Sequence, residues 1–125
     1  VRKGEILSNR LKVFAVSVSS YCNSIEVDSL GKVMSMQLVR ASTSVSLNHS
    51  EARVASSPRD FIHKLRIAQK EIHEVCTGLE ILQLSSRYPD PETLDRLIKE
   101  AKELASMIYA SIRTAKNNMN NNTQA

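Results

Sequence analysis

Glycine and proline are scarce in this 125-residue chain, with three of each. Gly31, Pro58, Pro89 and Pro91 fall near the ends of periodic segments, so the stretches between them run long without a breaker. That distribution disfavours an architecture of many short strands and favours helices. Aromatic side chains are equally few: Phe14, Tyr21, Phe61, Tyr88 and Tyr109, with no tryptophan. Few platforms are therefore expected for stacking bases. The two cysteines, Cys22 and Cys76, have no CxxC partner and no histidine at ligand spacing, which speaks against a zinc site or a disulfide framework. No apolar run approaches the roughly 18 residues that span a bilayer, and no signal-peptide pattern opens the chain. A cytoplasmic protein without a membrane partner is the expectation.

What is present begins with charge. Seventeen Lys and Arg against thirteen Asp and Glu give a formal charge of +4. The excess lies in residues 1–57, with seven cations to four acids; residues 58–88 hold five to four and residues 89–125 five to five. Such a gradient permits attraction to a polyanion without requiring it.

Four amphipathic segments follow. In the first, Leu7, Leu11, Phe14, Val18, Tyr21 and Ile25 recur at alternating spacings of four and three, one helical face held for five turns. Asp28, Ser29 and Gly31 supply turn and cap chemistry after it. The second face reads Met34, Leu38, Ala41, Val45, Asn48, Ala52 and Ala55. At "SSPRD", Ser57 suits an N-cap, Pro58 the first helical position and Asp60 the acid of a capping box. The third stripe is Phe61, Leu65, Ala68, Ile72, Val75, Leu79 and Leu82; Asp90 and Pro91 open the fourth, with Leu94, Leu97, Ala101, Leu104, Ile108 and Ile112. Similar lengths and short connections predict an all-α fold, an antiparallel up-down-up-down four-helix bundle over residues 4–116. The polar Asn-rich tail, 117–125, is expected to fray.

Catalytic constellations are missing. His49 lies on the second segment, while His63 and His73, ten residues apart on the third, point about 80° away from each other. No HxxxH or ExxH pair exists, and Asp60-x-x-His63 uses an acid already assigned to a helix start. The many serines have neither a strand-turn-helix elbow nor a Gly-rich phosphate loop. No enzyme, metal or cofactor is expected. Cations remain: Arg10, Lys12, Arg40, Arg53, Arg59, Lys64, Arg66 and Lys70, with Arg2 and Lys3, are candidate nucleic-acid contacts, binding electrostatically and with weak sequence selectivity. The alternative use of the same bundle is a protein-protein scaffold.

The central stretch "QLVRASTSVSLNHSEARVASSPRDFIHKLRIAQKEIHEVCTGLEI" resembles the four-helix bundle proteins of bacterial 23S rRNA intervening sequences, the S23 family. Gln37, Leu38, Arg40, Ala41 and Ser44 match the first part of that family's pattern. Asn48 and Glu51 match the second, and Phe61, Leu65, Ala68, Glu74 and Leu79 the third. His49 stands where the family prefers Ile, and Ala52 where it prefers Gly. The resemblance implies a non-enzymatic bundle similar to the accessory protein of diversity-generating retroelements, hence a homopentamer with RNA or DNA and a reverse transcriptase as partners. Within that stretch, Asn48 on an apolar face with Glu51 one turn on predicts a structural polar cluster of Asn48, Glu51 and Arg66 that fixes helix register.

Overall fold

A computed structural model of the chain describes residues 3–124 and contains four helices, with no strand among the described residues. They are α1 (Lys3–Cys22), α2 (Ser29–Arg53), α3 (Pro58–Ser85) and α4 (Pro91–Gln124). Helix α1 packs on α2 and α4, and α3 packs on α2 and α4, while the diagonal pairs do not meet. Level contacts set the directions. Arg40 reaches Glu74 midway along α2 and Glu51 meets Lys64 near its C-terminal end. Glu80 sits against Lys102, and Arg66 lines one cleft with Lys116. Each neighbour is therefore antiparallel, as short connections demand.

Caps explain where the helices begin. Asp28 accepts the amide of Gly31 at 2.8 Å, Ser57 accepts that of Asp60 at 3.1 Å, and Asp90 accepts that of Thr93 at 3.2 Å. Only half of the capping box expected at Ser57 forms: among the described residues the Asp60 carboxylate accepts no hydrogen bond from the Ser57 amide. Asp28 also accepts the Tyr88 hydroxyl at 2.7 Å and pairs with Arg87 at 3.6 Å, which ties the α1–α2 turn to the α3–α4 turn. The Gly31 amide, then the Tyr88 hydroxyl, hold its carboxyl below the usual range. A side chain at position 31 is excluded, because a Cβ there would lie 1.6 Å from the Ile25 carbonyl oxygen.

Leu11, Val18 and Ile25, Leu38 and Val45, Leu65, Ile72 and Leu79, and Leu104 and Ile108 form one core. Gly78 brings α3 close to α2: a Cβ there would come within 2.8 Å of the Leu38 and Met34 side chains. Three details depart from expectation. Helix α1 stops at Cys22, and Ile25 is buried from the turn that follows. On α2 the buried residues include Ser35, Ser42 and His49, while Asn48 is only partly covered. The residues expected to fray from 117 continue α4 to Gln124. Extending an existing helix carries no nucleation cost, so even asparagines can follow.

Candidate nucleic-acid interface

Helix packing divides the eight candidate cations into neutralised and free groups. Arg10 donates to Glu100 at 2.6 and 3.1 Å and to Glu103 at 3.1 Å. Those two carboxylates, Glu100 first, hold its guanidinium protonated even more firmly than usual. Arg40 pairs with Glu74 at 2.7 Å and Glu71 at 3.2 Å. Its hydrogen bond lowers the Glu74 carboxyl. Lys64 pairs with Glu51 at 3.4 Å. These three cations already face carboxylates, which offsets the charge they present to a polyanion.

Lys12, Arg53, Arg59, Arg66 and Lys70 have no ion pair among the described residues. Arg2 and the Lys3 side chain lie outside the described residues. Arg59 and Arg66 are brought together with two cations that residue-by-residue reading missed, Arg113 and Lys116 of α4. A cleft of about 690 Å³ runs between the first turns of α3 and the last turns of α4, lined by Arg59, His63, Arg66, Lys116 and Asn120 among others. An adjoining cleft of about 300 Å³ shares Arg66, Lys116 and Asn120 and adds Gln69, Tyr109, Arg113 and Asn117. Asp60 is the sole carboxylate in either lining. The α3 N-terminus adds its partial positive charge to the same end.

A signal for Arg113 and Lys116 existed. The balanced count over residues 89–125 conceals that all five acids precede Leu104, whereas Arg113 and Lys116 follow it. Tyr109, Arg113, Lys116 and Asn120 recur at helical spacing and share one face of α4. Tyr109 is 56% exposed, whereas Phe14 and Tyr21 are buried and Phe61 and Tyr88 partly so.

The expected polar cluster does not form. Asn48 donates to the Ser44 carbonyl at 2.9 Å and to its hydroxyl at 3.2 Å, within its own helix. Glu51 is taken by Lys64, and Arg66 faces α4 instead of α2. Antiparallel packing does bring the start of α3 level with Glu51, but the residue turned toward it is Lys64, two positions before Arg66.

Burial pushes the Cys22 and Cys76 thiols up, away from thiolate. Among the described residues no three of His, Cys, Asp and Glu converge as metal ligands. His49 is 5% exposed and its Nδ1 has no hydrogen-bond partner; burial, then the charge of Arg53, lowers its pKa. It lines an apolar cleft of about 660 Å³ with Leu7, Phe61 and Met107. Among the described residues no helix is long and apolar enough to cross a membrane.

Comparison with known proteins places this geometry in a family. No curated protein matches the chain. A crystal structure from Bacteroides thetaiotaomicron, described as a protein with unknown function from the S23 ribosomal protein family, is similar at 29% identity with a TM-score of 0.80. The match covers 90% of this chain and 99% of that one. The family model for the 23S rRNA-intervening sequence protein matches residues 8–110, across all four helices. The chain belongs to the 23S rRNA-intervening sequence protein family.

Proposed function

We propose that this protein is a non-enzymatic accessory factor that holds a nucleic-acid backbone electrostatically in the cleft between the start of α3 and the end of α4. One observation carries the reading: Arg59, Arg66, Arg113 and Lys116 line a continuous surface with a single carboxylate, while Arg10, Arg40 and Lys64 are satisfied internally. Unneutralised cations displace counterions from phosphates, and that release drives sequence-independent binding. RNA or DNA is then the direct partner, and a reverse transcriptase is a candidate second component. Anisotropy titrations with structured RNA and duplex DNA at low and physiological salt test this. Binding at low salt that weakens with salt, and weakens again in the Arg66→Ala/Arg113→Ala/Lys116→Ala variant, is expected. No binding at low salt overturns it.

A second reading, a scaffold that recruits protein or further copies of itself, draws on a different surface. Val13 and Val16 of α1 and Met36 and Leu47 of α2 are each 64–74% exposed. The homopentamer expected together with the nucleic-acid partners would bury such a surface as well. Light scattering of the wild type and of Val16→Lys tests self-assembly through this surface: a wild-type monomer contradicts it.

A further inference from the structure

Tyr109 is the most exposed of five aromatic residues, and it stands where the free cations converge. Its ring takes part in no cation-π contact; the one such pair among the described residues is Arg87 over Tyr88. Gln69 and Arg66 of α3 face it across the shallow cleft, with Arg113 one turn further along α4. From Tyr109 to Asn120 the α4 face extends about 16 Å. Cations therefore continue past the ring on one side of the same groove.

An exposed phenol ring offers a flat π-face of the kind an unpaired base covers. Within a duplex no base face is free, since the bases stack on each other, and away from its two ends it can offer this groove only phosphates. Resting on the proposed nucleic-acid reading, we infer that the cleft takes single-stranded nucleic acid, with one unpaired base stacked on Tyr109 and the flanking phosphates held by Arg66, Arg113 and Lys116. Gln69 and Asn117 offer amide groups beside the base. A groove of cations beside an aromatic ring tolerates many sequences, because every base has a π-face. The step is binding alone, with no bond made or broken.

The test uses the full chain and labelled strands of about 12 nucleotides, as RNA and as DNA, each single-stranded and as a duplex, with a longer duplex controlling for stacking on the ends. Single strands are expected to bind more tightly than duplexes at the same salt. Tyr109→Ala should weaken single-strand binding about tenfold or more and leave duplex binding unchanged, whereas Tyr109→Phe should bind like the wild type. The two strand chemistries decide between RNA and DNA as the source of the base. Because the chain has no tryptophan, Tyr109→Trp supplies a single indole fluorophore at the site. Single strand should quench it, and duplex should not. If strands bind with salt dependence but Tyr109→Ala weakens neither form, or duplex quenches the indole of the Tyr109→Trp variant equally, stacking is overturned while the electrostatic reading stands. If no strand binds the wild type at low salt, both are overturned.

Discussion

Replacing His49 with leucine should raise stability and remove part of the protein's sensitivity to acid. The imidazole is 5% exposed, its Nδ1 has no partner, and its pKa is lowered by burial and by Arg53. Leucine is γ-branched and close in size, so the change removes an unsatisfied buried polar atom without opening a large cavity. Satisfying or removing such a group is worth on the order of 1 kcal/mol at neutral pH. The native state keeps His49 neutral below the ordinary value of 6.5, while the unfolded chain takes up the proton there. The unfolded state then binds more protons, so stability falls as pH falls through 6.5, by up to about 1.4 kcal/mol per unit, until the folded-state pKa is reached. His63 and His73 are exposed and common to both proteins, so they cancel in the difference. Urea unfolding of wild type and His49→Leu at pH 7.5 and 5.5 measures it. The advantage of leucine should grow at the lower pH, by at most about 1.4 kcal/mol. An equal advantage at both pH values, or a destabilised variant, would refute the reasoning.

Other consequences follow from single contacts. Gly31→Ala should destabilise by about 1–3 kcal/mol in urea unfolding, since a Cβ 1.6 Å from the Ile25 carbonyl forces the Asp28-capped turn to move, which outweighs alanine's better helix propensity. Ile72→Ala, at a fully buried site, should cost about 2–5 kcal/mol by the same measurement. Arg10→Ala and Arg40→Ala should leave nucleic-acid affinity within about twofold of wild type, because both guanidiniums are committed to glutamates. A larger loss in anisotropy titrations would place those residues in the interface.

Helix periodicity and cap residues made the bundle legible before any coordinates. Asp28, Ser57 and Asp90 cap as their positions indicated, because an N-cap bond depends on residues three apart. The inner face of α2 was only half legible. A bundle helix is covered by two neighbours, so its buried arc is wider than one stripe, and Ser35, Ser42 and His49 complete it at seven-residue spacing. Ser35 is satisfied by the Cys22 carbonyl and Ser42 by that of Val39, bonds that hydropathy does not register. The site was less legible for the same reason. Whether a cation is free depends on partners far along the chain, as with Arg10 and Glu100, and a net charge cannot distinguish a paired arginine from an open one.

The salt dependence of single-strand binding tests the central claim most directly. Each phosphate neutralised contributes about 0.7 to the slope of log affinity against log salt. The Arg66→Ala/Arg113→Ala/Lys116→Ala variant should therefore show a slope shallower than wild type by about 2. Equal slopes for the two proteins would contradict binding at the α3–α4 cleft.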